Sequence, residues 1–249
     1  MERVKTGIAG FDELMEGGIP KNHLVLVSGQ AGAGKTIFGL QYLVTGAKLG
    51  EKGVMISLEQ SKNDIFNQAS DFGWDFKKLE EDGLVRILSF KPSKTHLVTI
   101  MEDIEKAVAE LQPKRLVWDS VSTYGVFAET FAYLELGLSL GGRDQTMPIT
   151  PESAMRKAIF DLIEKFKSSG STTLLISELP ETSDFLSRDT ISEFLADGVI
   201  VLYYTAIGGE TFGNIQIRKM RHTKHAHGIF ETKIGPNGIE IGERSELMK

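Results

Sequence analysis

Residues Gly29 to Thr36 read GQAGAGKT, the full spacing Gly-x-x-x-x-Gly-Lys-Thr, and what flanks them constrains the fold. The apolar run Leu24-Val25-Leu26-Val27 reads as a buried strand. Ile37 to Val44 reads as a helix apolar on most of its faces. A strand that turns through glycine into a helix N-terminus builds an anion site: N–H groups of the turn point inward, and the helix dipole adds partial positive charge at the same place. The spacing assigns Gly29, Gln30, Ala31, Gly32, Ala33, Gly34, Lys35, Thr36 and Ile37 to nucleotide binding. Lys35 is expected to reach the outer phosphates, and the Thr36 hydroxyl to ligate Mg²⁺. A chain with this unit binds a nucleoside triphosphate.

With 249 residues the chain is long enough for one well-buried α/β domain, expected over residues 1–249 with a short C-terminal tail at 242–249. No Pro/Ser-rich linker, low-complexity tract or internal repeat divides it. The N-terminus lacks a charged-then-apolar signal pattern, and no apolar run approaches the roughly eighteen residues of a membrane span. Cysteine is absent, so neither a disulfide framework nor a thiolate metal site is available. These features lead to the expectation of a cytoplasmic protein that does not enter the membrane. The net charge of −6 argues against a generally basic nucleic-acid surface, although a local patch stays open.

Apolar runs alternate with helical stretches, the pattern of a mostly parallel sheet covered on both faces. Strands are expected at Gly53–Leu58, Leu84–Ser89, Leu116–Asp119 and Thr172–Ser177. Helices are expected at Ser61–Phe72, with Ser61 and Asp64 in capping-box spacing, at Thr95–Leu111 with Pro113 ending it, and at Pro151–Ser169. Val199–Tyr204, Ile215–Met220, Ile229–Ile234 and Gly238–Ile241 are short strands separated by turns at Gly208-Gly209 and Pro236-Asn237-Gly238. The C-terminal third therefore reads as an antiparallel extension of the sheet. Tyr124 to Thr150, apolar and aromatic, reads as a helix plus loop inserted beside the nucleotide site.

Phosphoryl transfer needs an acid for the metal shell, a group that positions or deprotonates water, and cations for the developing charge. Asp119 ends the strand LVWD at the carboxyl edge of the sheet, where a metal-shell aspartate belongs. A strand-end Asp in that position can also simply cap a turn. Glu59 ends VMISLE at the same edge and can serve as a base, or can simply be solvated. Arg218 to His227 carries four fixed cations, no acid and three of the five histidines. On a strand, alternation sends Lys219 and Arg221 to one face and Arg218 and Met220 to the other. Four readings stay open for this segment. It can be an aggregation-resistant edge strand, a nucleic-acid patch, a zinc site of His222, His225 and His227, or a source of cations for a γ-phosphate.

These residues, in order, resemble the KaiC-type ATPases of the RecA superfamily in a stand-alone, single-domain form. The resemblance runs from KTGIAGFDELMEGGIPKNHLVLVSGQAGAGKT through GVMISLEQS, LVWDS, STTLLISE and EFLADGVIVLYY to KMRHTKHAHGIFETKIGPNGIEI, about Thr6 to Ile241, and breaks mainly at Tyr124–Thr150. It implies a RecA-like P-loop fold and Mg²⁺-dependent ATP binding and hydrolysis. Glu59 falls on the first of two adjacent glutamates, regarded as the catalytic base, and Gln60 departs from the second. Asp119 falls on the metal-shell aspartate, joining Thr36. Lys219 and Arg221 match a Lys-x-Arg pair that reaches the γ-phosphate of the neighbouring subunit, which selects the fourth reading and implies a homo-oligomer, by the superfamily's habit a hexameric ring. The catalytic set is thus Glu59, Lys35, Lys219 and Arg221. His225 matches a position without an assigned role, and Ser177 and Glu178 are placed to sense the nucleotide state.

The leading expectation is an ATPase ring coupled to a protein partner the sequence does not identify. A recombinase-like, DNA-dependent ATPase is disfavoured because the stretches that would meet DNA carry Glu129, Glu135, Asp144, Glu181, Asp184 and Asp189 against Arg143 and Arg188. An autokinase stays open, as does a nucleotide-gated scaffold with little turnover. A GTPase lacks its guanine-reading motif, since Ser61-Lys62-Asn63-Asp64 begins with the wrong residue and lies too early.

Overall fold

The computed structural model describes residues 1–91, 95–134, 150–180, 185–207 and 210–245. The expected Gly208-Gly209 turn, the part of the insertion from 135 to 149, Glu181, Asp184 and the last four residues lie outside them.

Along the chain come β1 (Arg3–Val4), a 3-10 turn (Asp12–Met15), β2 (Ile19–Pro20), β3 (Leu24–Gly29), α1 (Lys35–Lys48), β4 (Gly53–Ser57), α2 (Lys62–Ser70), α3 (Phe76–Glu81), β5 (Val85–Ser89) and α4 (Leu97–Leu111). They are followed by β6 (Arg115–Asp119), α5 (Val121–Leu134), α6 (Pro151–Ser168), β7 (Thr172–Glu178), α7 (Ser192–Leu195), β8 (Gly198–Ile207), β9 (Glu210–Met220), β10 (Phe230–Gly235) and β11 (Gly238–Arg244). Nine strands form one sheet in the order β11-β10-β9-β8-β3-β7-β6-β4-β5. From β8 to β5 every pairing is parallel, while β8–β9, β9–β10 and β10–β11 are antiparallel. The expected parallel sheet with an antiparallel C-terminal extension is what the chain forms.

The central strands are apolar on both sides because both sides are covered. In β3, Val25 and Val27 join one core with Phe38 and Tyr42 of α1. Leu24 and Leu26 join the opposite core, with Ile104 of α4 and Ile163 and Phe166 of α6. Each fully buried side chain of this size stabilises the fold by about 1.5–3 kcal/mol. At the end of the sheet away from the carboxyl edges of the parallel strands, the fully buried Arg115 guanidinium ties three segments together. It bonds Glu51 (2.8 Å), the Lys5 carbonyl (2.6 Å) and the Tyr42 carbonyl (2.8 Å), and lies over the Tyr42 ring.

Local chemistry sets most boundaries. Ser61 and Asp64 form the expected capping box on α2. Gln112, with φ +48°, closes α4 one residue before Pro113. The short elements β1, β2 and α7 are absent from the sequence reading, and three further elements depart from it. Helix α3 was not expected; Asp75 caps it by accepting from the Lys78 N–H at 2.9 Å. Helix α5 starts at Val121, ahead of the expected Tyr124, with the Ser120 hydroxyl accepting from the Thr123 N–H at 3.2 Å. In β9 the pairing with β8 slips between Val199 and Ile200, opposite Ile217 and Lys219. Strict alternation fails across that slip: Arg218 is exposed whereas Met220 is buried, so the two do not share a face.

Candidate functional site

Strand β3 delivers Gly29 to the middle of the sheet between β7 and β8, and α1 begins at Lys35. Two glycines are required by what surrounds them. A Cβ at Gly29 would lie 2.1 Å from the Leu202 carbonyl oxygen, and at Gly34, where φ is +90°, a Cβ would lie 3.1 Å from the Ile234 side chain. Lys35 spans the loop and donates to the Gln30 carbonyl at 2.8 Å. Burial lowers the pKa of its ammonium, against the opposing charges of Glu178, Asp119 and Glu59.

The loop opens into a cleft of about 260 Å³ lined by Ala31, Gly32, Gly34 to Ile37, Glu59, Gln60, Gln68, Asp119 and Glu178. The parallel strands place their acids there by register: Ser57 of β4 pairs with Asp119 of β6, and Gly29 with Glu178. The Thr36 hydroxyl donates to Asp119 Oδ2 at 2.7 Å. Asp119 is fully enclosed, and burial, then the charge of Glu59, pushes its pKa up to about 7. A divalent cation relieves that penalty, and the hydroxyl and carboxylate offered by Thr36 and Asp119 are hard oxygen donors of the kind Mg²⁺ takes. The residues present therefore fit a Mg²⁺–nucleotide.

The Glu59 carboxylate accepts from the Ser120 hydroxyl and, at 2.9 Å, from the Thr123 hydroxyl, both at the start of α5. Ser122, between them, accepts from the Glu178 N–H at 2.9 Å and lies 3.3 Å from the Ser177 hydroxyl. Sequence reasoning missed this run of hydroxyls, and missed Gln68 and Tyr204 as well. Tyr204 braces the phosphate loop, its hydroxyl donating to the Gly32 carbonyl at 2.8 Å and its N–H to the Gln30 side chain at 3.0 Å. The side-chain oxygens of Gln60 and Gln68 are buried without a partner.

Lys219 and Arg221 do not join this cluster. Lys219 Nζ donates to the carbonyls of Glu193 (3.1 Å), Phe194 (3.2 Å) and Ala196 (2.7 Å) at the end of α7, and Arg221 pairs with Asp197 at 3.2 Å. The two cations thus share one short segment outside their own chain's cleft. The three-histidine metal reading is not supported. The His222 ring packs edge-on against His23, His225 against His227, and no cluster of three metal-ligating side chains forms among the described residues. No described helix is long and apolar enough to cross a membrane.

Comparison with known proteins places this geometry in a family. The model of the family described as "ATPase: KaiC" matches residues 4–132 and 144–246. The circadian clock oscillator protein KaiC of Synechococcus elongatus is 30% identical over 248 residues, covering 96% of this chain and 44% of that protein. The chain thus spans less than half the length of the KaiC proteins it matches. A UPF0273 protein of Thermotoga maritima is 30% identical over 256 residues, covering 97% of this chain and 96% of that one. The crystal structure of a KaiC-like protein from Pyrococcus horikoshii superposes with a TM-score of 0.80 at 35% identity, covering 97% of this chain and 99% of the other. This chain belongs to the KaiC ATPase family of the RecA superfamily.

Proposed function

We propose that residues 1–249 act as one ATPase domain that binds ATP with Mg²⁺ in the GQAGAGKT cleft, hydrolyses it, and completes its site only in a homo-oligomeric ring. The observation that carries this reading is the separation of the parts. Lys35, Thr36, Asp119 and Glu59 meet in one cleft, whereas Lys219 and Arg221 sit together elsewhere. In this scheme Thr36 and Asp119 would hold Mg²⁺, which when bound would supply positive charge to neutralise the phosphates. Lys35 binds the outer phosphates, Glu59 orients and deprotonates the attacking water, and Lys219 and Arg221 of the preceding copy stabilise the charge on the transferred group. Replacing Glu59 by Gln should leave ATP binding intact and lower kcat by on the order of 10²–10⁴, read by calorimetry and phosphate release. Unchanged turnover removes Glu59 as the base.

A slow, nucleotide-gated scaffold is the second reading. It is favoured by Gln60 at the neighbouring acid position and by the two hydroxyls that engage the Glu59 carboxylate. The Glu59→Gln comparison separates the two, since a scaffold has little turnover to lose.

A further inference from the structure

Phe194 on α7 is 68% exposed and Phe160 on α6 is 43% exposed. With Ile191, Leu195, Arg156 and Lys157 they line a groove of about 550 Å³. Arg156 and Lys157 are each paired with an acid one turn away, Glu152 and Asp161, so this wall carries little net charge. An open apolar groove with neutralised walls is a surface built to be covered.

The groove is continuous with the two cations. The Phe194 carbonyl is one of the three that hold Lys219, and Asp197, which holds Arg221, closes the same segment. Around that segment Lys167, Lys219 and Arg221 outnumber Asp197 and Glu193. The nucleotide cleft has the opposite balance, with Glu59, Asp119 and Glu178 against Lys35. Its rim also exposes apolar surface. Tyr204, 37% exposed, touches Gly32, and Ile234, 44% exposed, lies against Gly34. One molecule thus carries a cationic face with an apolar groove and, elsewhere, an anionic face with apolar side chains. Like faces repel and unlike faces attract, which is the requirement for a head-to-tail contact between identical chains.

We propose that the Phe160–Phe194 groove is the apolar half of this contact and receives the cleft rim of the next copy, the side that carries Tyr204 and Ile234. The proposal rests on the reading of Lys219 and Arg221 as groups that act on a neighbour: the groove seats the neighbour, and the cations beside it then face the neighbour's phosphates.

The test measures molar mass by light scattering over a concentration series of the full chain with ATP and Mg²⁺. Phe194→Ser, Phe160→Ser and, on the other half, Ile234→Ser should each need roughly tenfold or more protein to assemble. ATP affinity of the dissociated Phe194→Ser and Phe160→Ser subunits should stay at the wild-type value. If Phe194→Ser loses ATP binding through misfolding, Phe160→Ser, on a different helix, decides. Groove variants that assemble like wild type, while Arg221→Ala still abolishes turnover, overturn the groove alone. A wild type that stays monomeric, with undiminished turnover in Arg221→Ala, overturns the reading beneath it.

Discussion

Asp197 answers to four groups at once. Lys167 and Arg221 pair with it at 2.8 and 3.2 Å, its carboxylate accepts from the Leu24 N–H at 3.1 Å, and the charge of His23 also reaches it. Its partial burial raises the pKa, but the Lys167 contact and the Leu24 N–H outweigh burial and hold the carboxyl below its ordinary value. A carboxylate with a lowered folded-state pKa contributes stability above its unfolded pKa and loses it as pH falls through the folded value. Asp197→Asn should therefore unfold at lower denaturant concentration than wild type at pH 7, and the gap should close as pH drops below about 4, the unfolded value. Urea titrations at a series of pH values check this, and a gap independent of pH would mean that charge is not what Asp197 contributes. Glu59 shows the same economy of placement. Its place beside the nucleotide loop was legible as a strand-end acid in VMISLE, but the Ser120 and Thr123 hydroxyls that grip it were not. Ser120 to Thr123 reads as a polar connection in sequence, and only the early start of α5 turns those hydroxyls toward Glu59.

At the scale of elements, α1 does more than follow the phosphate loop. Gln41, buried on its flank, donates to the carbonyls of Gly7 (3.1 Å) and Ile239 (3.2 Å) and accepts from the Ile239 N–H (2.8 Å). One side chain thereby fastens the N-terminal segment and β11 to the helix that carries Lys35. Gln41→Leu keeps the volume but strands three backbone groups, so it should cost about 3 kcal/mol in chemical denaturation. A loss below about 0.5 kcal/mol would show that water replaces those bonds. Strands and long helices were legible because burial on both faces leaves continuous apolar runs, as in LVLVSG and TTLLIS, and because amphipathic spacing marks α4 and α6. Short or irregular elements were not. Helix α3 depends on a single Asp75 cap, β1 and β2 pair over two residues each, and the register slip in β9 comes from its pairing with β8, not from any local preference.

At the scale of the whole molecule, the sheet is a parallel part that builds the cleft and an antiparallel part whose strand β9 leads into the cations. The long connections between Lys35, Glu59, Asp119 and Glu178 converge because each residue lies at or near the carboxyl edge of adjacent strands, a convergence that topology imposes and spacing alone does not reveal. Lys219 and Arg221, carried on the far side of β8, remain tied to the segment after α7. An undivided site of this kind would require them to cross to their own phosphate loop; a shared site requires only a neighbour. Complementation tests that difference. Lys35→Ala alone should bind no ATP through loss of its charge-assisted phosphate contact, and Arg221→Ala alone should bind ATP without turning it over. Mixed in equal amounts and allowed to exchange, they should recover about a quarter of wild-type turnover, since about one contact in four then joins an intact phosphate loop to an intact arginine. Mixtures that co-assemble yet recover none would contradict a site divided between subunits.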